Sequence, residues 1–176
     1  MNIAHQDAKK IIRNVIGPVL GGRGEALLAT QGTDGRPHMC WMGTVGFLEK
    51  QGAKLVTITS PDSRKVHNIR TNPLVEWMFT DRAKSCVVYL RGKAVVVEDP
   101  ASVKAGWAAL DDKDKAYFLN FINSGIGFAV VETTIEDATL VVPRAGSSLT
   151  IPWAQIVDSE MSVTSAAQTR PTKAEQ

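Results

Sequence analysis

The sequence predicts a mainly β fold of the α+β type: an antiparallel barrel, closed or split, with flanking helices. Three observations carry this. Seven or eight short β-prone runs follow one another in hairpin-like order, against three or four helical patterns. One helix is inserted directly after the strand Leu55–Thr59. A doubly wound parallel sheet would need a helix after most strands, and that alternation is missing. Barrel closure, in contrast, removes exposed strand edges.

Taken in order, residues 3–16 form an amphipathic helix, with Ala4, Ala8, Ile11, Ile12, Val15 and Ile16 at three- and four-residue steps and Gly17-Pro18 as its break. Gly21–Gly24 is a glycine-rich loop without the spacing or Lys-Ser/Thr ending of a phosphate-binding P-loop. Glu25–Thr30 is a strand, and Asp34-Gly35 marks a hairpin turn. Arg36–Leu48 reads as one long strand with apolar groups on both faces. It is therefore buried on both sides or bends across a barrel, with Gly43 and Gly46 as bend points. Gln51-Gly52 turns the chain into Leu55–Thr59.

Beyond the inserted helix, Leu74–Phe79 and Ser85–Val97 are strands, the second with a bend or bulge at Arg91-Gly92. Asp99-Pro100 starts a helix carrying Val103, Trp107 and Leu110 on one face. A second short helix, near Asp114–Ile122, turns Phe118, Phe121 and Ile122 inward. Ile126–Val131 and Thr139–Val142 read as two strands joined by a polar Glu-Thr-Thr-Ile-Glu-Asp connection. Ser148–Trp153 adds an edge strand or arm, and Trp153 either caps its own barrel or meets a partner. Residues 1–158 make a single domain. From Ser159 the chain is Ser-, Thr-, Ala- and Lys-rich without apolar period, which predicts a flexible C-terminal tail.

The chain has 176 residues, 44% apolar and 22% charged, as in ordinary soluble domains. A net charge of +2 without basic runs predicts no nucleic-acid or membrane-surface partner. The N-terminus lacks an apolar signal core, and no apolar run reaches the ~18 residues of a membrane span. Cys40 and Cys86 lie in apolar strand-like runs outside any CxxC pattern. That suits reduced thiols and a cytoplasmic location, with a disulfide left to geometry.

Leu55–Pro73, LVTITSPDSRKVHNIRTNP, is the stretch that carries chemistry. Ser60 suits an N-cap, Pro61 the first helical position, and Asp62 the positive end of the helix dipole. Val66 and Ile69 give the helix an apolar edge, and Asn72-Pro73 stops it. Thr59, Ser60, Ser63, Arg64 and Lys65 then crowd around a helix start, where free backbone N–H groups favour an anion. The same residues also fit a plain capped helix with a solvated basic face. Elsewhere little protein-borne chemistry is legible. His38 and Cys40 share a strand face but have no second ligand cluster, which predicts no metal site. No nucleophile elbow or oriented Cys–His pair occurs. Such a chain is expected to leave the reactive chemistry to a cofactor.

SPDSRKVHNIRTNP behind a hydrophobic strand resembles the FMN-binding split barrels of the pyridoxamine 5′-phosphate oxidase family. There a strand ending in Thr or Ser leads into Ser-Arg-Lys or Ser-x-Lys, then a helix ending in Asn-Pro, then another strand. The resemblance covers Gly24–Asp99 by order of elements and Ile58–Pro73 by motif. It implies a homodimer with FMN at the subunit interface and oxidoreductase activity on a small molecule. Ile58 and Thr59 would line the cofactor, Arg64 and Lys65 would hold its phosphate with help from Ser60, and further contacts would come from Met39, Cys40, Trp41 and Met42. For Met39, Trp41 and Met42, core packing is the alternative. The family's true oxidases carry a flavin-facing glutamine on the long later strand, where Ser85–Arg91 here has valines, and Arg144 is the nearest, poor match to their C-terminal substrate segment. The resemblance thus implies flavin binding without implying vitamin B6 oxidation. Relatives bind the deazaflavin F420 or haem. The alternatives are a non-catalytic flavin- or F420-binding stress or sensing protein, and a haem binder with His38 as iron ligand.

Overall fold

Two strands that are neighbours in sequence sit at opposite ends of the sheet, and this closes it into a barrel. The computed structural model describes residues 4–20, 25–48, 54–123, 125 and 127–157. Among them are α1 (His5–Leu20), β1 (Ala26–Gln31), β2 (Pro37–Met42), β3 (Val45–Leu48), β4 (Lys54–Thr59), α2 (Arg64–Thr71), β5 (Leu74–Asp81), β6 (Cys86–Val97), α3 (Pro100–Ala108), α4 (Asp112–Asn123), β7 (Ala129–Val142) and β8 (Ser147–Pro152). The antiparallel order is β2-β1-β5-β6-β7-β4-β3, with β8 also on β7. Only Gly43 and Thr44 separate β2 from β3, so the sheet must curl until its two ends meet. The split lies along β7. Its first half pairs with β4 (Thr59↔Ala129 to Leu55↔Thr133) and its second half with β8 (Asp137↔Pro152 to Val142↔Ser147).

The expected long strand Arg36–Leu48 is thus two strands. The bend falls at Gly43, and burial on both sides does not hold for β2, where Met39 and Trp41 are 72% and 66% exposed. β7 corrects the sequence reading in the opposite sense. The polar stretch taken for a connection is the middle of one continuous strand. Its polar groups find cross-strand partners: Glu132 pairs with Lys54, Asp137 with Arg91, Glu136 with Lys93, and Thr133 accepts from Trp77. The β6–β7 register shifts at Arg91-Gly92, where an irregularity is expected, and the bulged strand is β7. Arg91 pairs with Asp137 and Gly92 with Ile135, leaving Glu136 as the extra residue.

Two apolar cores follow from the two faces of β4. Leu55 faces the barrel interior with Leu28, Trp77, Phe79, Leu90 and Leu140, closed by Ala8, Ile12, Val15, Ile16 and Val19 of α1. Val56 and Ile58 face outward to a second cluster with Leu110, Phe118 and Val130, covered by α3 and α4. Burial on both faces explains the unbroken apolar and hydroxyl run. α1 continues past its expected break: Pro18 gives up one N–H bond in the last turn, while Val19 is buried. Asp99 caps α3 by accepting from Ser102 N at 2.8 Å. Phe118 is buried as predicted, whereas Ile122 lies outside the second cluster and is 39% exposed. Trp153 is buried edge-on to Phe47 at 6.4 Å and caps its own barrel. The expected loop at 21–24, the Gln51-Gly52 turn, the Phe121 side chain and the tail from 159 lie outside the described residues.

Trp77 is fully buried and donates from Nε1 to Thr133 Oγ1 at 3.2 Å. Trp77→Phe leaves that hydroxyl without its donor and opens a void. We expect a loss of about 1–3 kcal/mol, read as a lower urea midpoint at unchanged m-value.

Candidate functional site

The seam between β2 and β3 is fixed by hydroxyls. Thr44 Oγ1 donates to Ile58 O at 2.9 Å, and Thr57 Oγ1 donates to Thr44 O. Both threonines are buried, so Met42–Thr44 is pinned against the C-terminal end of β4. Here the chain leaves β4 and enters α2.

The helix start differs from the sequence expectation. Ser63 N donates to Ser60 O at 3.2 Å, so Ser60–Ser63 is a turn, with Pro61 at the turn position that suits its fixed φ. The helix begins at Arg64, and Ser63 occupies the N-cap in place of Ser60. Ser63 makes no side-chain capping bond. Its Oγ is shielded from solvent and has no protein partner. The stop at Asn72-Pro73 holds, with Asn72 in an extended conformation. Val66 and Ile69 dock the helix as predicted, and Asn68 Nδ2 donates to Thr30 Oγ1 at 2.9 Å across to β1.

That docking aims Lys65 inward. Lys65 Nζ donates to Thr59 Oγ1 at 2.9 Å and keeps two further N–H donors. Two cavities meet at this side chain. One, about 270 Å³, is lined by Thr30, His38, Met39, Cys40, Arg64 and Lys65. The other, about 340 Å³, runs from Lys65, Thr59 and Ile58 past Trp41–Thr44 to Lys113, Asp114, Tyr117 and Phe118 of α4. Both sizes lie near the ~300–1,000 Å³ range of small-molecule pockets.

Of the residues singled out from sequence, Met39, Cys40, Arg64 and Lys65 line the first cavity, and Trp41, Met42, Ile58, Thr59 and Lys65 the second. Ser60 lines neither. Sequence reasoning missed the α4 wall, although Asp114, Tyr117 and Phe118 recur at three- and four-residue spacing and share one helix face. It also missed Ser63 as the N-cap.

The local chemistry is that of a holder. Burial pushes the Cys40 thiol up, opposed by Lys65, which disfavours the thiolate. Arg64 Nη1 lies 3.3 Å from His38 Nδ1. Because arginine can only donate, Nδ1 is the acceptor of this contact. The imidazole also lies over Gly32, where an added Cβ would fall 2.8 Å from Nε2. No cluster of three or more metal-ligating side chains occurs among the described residues.

A family model for pyridoxamine 5′-phosphate oxidase matches residues 19–142, from the end of α1 through β7. The chain belongs to the pyridoxamine 5′-phosphate oxidase family. Solved structures share its fold. A Clostridium acetobutylicum protein of the pyridoxinephosphate oxidase family, related to general stress protein 26 of B. subtilis, superposes with a TM-score of 0.68 at 17% identity, covering 87% of this chain and 99% of its own. An FMN binding protein from Nostoc punctiforme, related to pyridoxamine 5′-phosphate oxidase, gives 0.61 at 19%, covering 85% and 91%. A haem binding protein from Mycobacterium smegmatis gives 0.67 at 19%, covering 88% of this chain but 61% of its own. No curated protein matches. At such identities the structural likeness is one of fold.

Proposed function

We propose that this member of the family is a homodimeric FMN-binding protein that acts as an oxidoreductase on a small molecule. The observation that carries the reading is the convergence of Arg64 and Lys65 at the start of α2, beside two cavities that share Lys65. Two cationic donor groups beside the first turn of a helix fit a phosphate. Met42, Ile58, Phe118 and Trp41 fit a flat ring. When bound, FMN supplies acceptance and release of a hydride or electron pair. The chain's part is to hold the phosphate with Arg64 and Lys65, fix the strand end through Thr44, Thr57 and Thr59, and exclude water with Ile58 and Phe118.

The dimer is supported by Met39 and Trp41, large apolar side chains left exposed at the rim of the two cavities. A cytoplasmic location is supported by two free cysteines. No described helix is long and apolar enough to cross a membrane.

The test is the absorption spectrum of the protein as purified, with release of the chromophore on denaturation. Flavin bands and released FMN are expected, bleached by NADH or NADPH if the protein turns over. A Soret band would replace this reading with haem binding. Colourless protein whose melting temperature ignores FMN would end it, and a shift with F420 alone would move it to the deazaflavin.

A further inference from the structure

Asp114 is the one acidic side chain in the wall of the larger cavity. It is 7% exposed, and its Oδ2 is shielded from solvent with no hydrogen-bond partner in the protein. An unpaired buried carboxylate oxygen is costly and calls for a cause. Capping does not supply one, because Asp111 does that work for α4: its Oδ1 accepts from Asp114 N at 2.8 Å. Packing does not supply one either. Phe118, one turn along the same face, joins an apolar cluster that an apolar residue at 114 would extend.

We propose that Asp114 is a recognition residue for the ring of the bound cofactor, its carboxylate accepting a hydrogen bond from the N–H of a nitrogen heterocycle held in this cavity. In FMN that donor is the imide N3–H. The inference rests on the flavin reading above and adds to it the partner of one ring atom. The surroundings agree. Lys65 reaches the cavity from α2, and Lys113 and Tyr117 come from α4. β2, the Gly43-Thr44 link and β4 contribute only uncharged groups to its wall. Neither lysine satisfies Oδ2. Burial first, and Asp111 second, push the carboxyl up to about 6, with Lys113 opposing. The group is therefore mostly ionised at neutral pH and is a strong acceptor once a donor arrives.

The test compares FMN with N3-methyl-FMN, which lacks the donor, by equilibrium binding to the full-length apoprotein. Wild type is expected to prefer FMN about 10- to 150-fold, the range for a hydrogen bond to a charged group. In Asp114→Leu the preference should shrink to the part due to methyl bulk alone. Asp114→Asn retains a neutral acceptor of the same shape and should fall between the two. If the leucine variant does not fold, the asparagine variant still decides. An unchanged preference in the variants overturns the proposal, as does equal binding of the two flavins by wild type. Wild-type protein that binds neither flavin removes the cofactor reading itself, a distinct failure.

Discussion

Replacing Gly92 by valine is expected to destabilise the protein by about 3 kcal/mol or more, a large fraction of its stability. A Cβ at this position would fall 2.1 Å from Thr134 O and 3.0 Å from Ile135 Cα. Both are backbone atoms, so no side-chain rotation relieves the clash. The backbone cannot retreat either, because β6 and β7 are paired from Val87↔Val141 to Val97↔Val130 on both sides of the bulge. The cost should therefore lie at or above the ~3 kcal/mol upper end for overpacking, against a total stability of about 5–15 kcal/mol. The surface ion pair of Arg91 with Asp137 beside the bulge cannot offset this, since such pairs contribute about 0–1 kcal/mol. Circular dichroism and urea unfolding of Gly92→Val and Gly92→Ala provide the check. Wild-type midpoints for both would mean that the bulge does not require glycine.

The bulge also shows what was legible in the sequence. Arg91-Gly92 stood out because a glycine interrupts a valine-rich strand. The Asp34-Gly35 hairpin was equally plain: Gly35 has φ +78° and Asp34 Oδ1 accepts from Arg36 N at 3.0 Å. Such features are local, and their chemistry is written in two or three consecutive residues. The errors fall where a partner distant in sequence decides. Nothing in Glu132–Asp137 announces a strand until Lys54, Trp77, Arg91 and Lys93 are opposite it. The break between β2 and β3 likewise depends on β1 pairing with one and β4 with the other.

The candidate site divides in the same way. Thr59, Arg64 and Lys65 were visible because one segment holds them in strand–turn–helix order. Asp114 and Tyr117 were not, because α4 reaches the cavity only once the barrel has curled and α3 and α4 have folded over the outer face of β4. Ser60 and Ser63 both suit an N-cap by residue type. The choice between them was made by the turn that Pro61 stabilises, which shifts the helix start three residues onward.

The second large effect concerns this helix start. Lys65→Ala and Arg64→Ala are each expected to weaken FMN binding by about 10- to 150-fold, the equivalent of roughly 1.5–3 kcal/mol for a hydrogen bond to a charged group. The double variant should lose more, though less than the product, because both cations face one phosphate. Stability should change little. Arg64 is exposed, and within the protein Lys65 makes a single half-buried hydrogen bond, to Thr59. Riboflavin, which has the ring without the phosphate, separates the phosphate anchor from the ring contacts. Its affinity should be nearly the same in wild type and variants, so the FMN-to-riboflavin ratio collapses while ring binding persists. Equal losses for both flavins would place Lys65 against the ring, which its position between the two cavities also permits, and would leave Arg64 as the phosphate contact. No loss for either flavin would remove the start of α2 from the site altogether, since Arg64 and Lys65 are the two cations it brings to the wall of the smaller cavity.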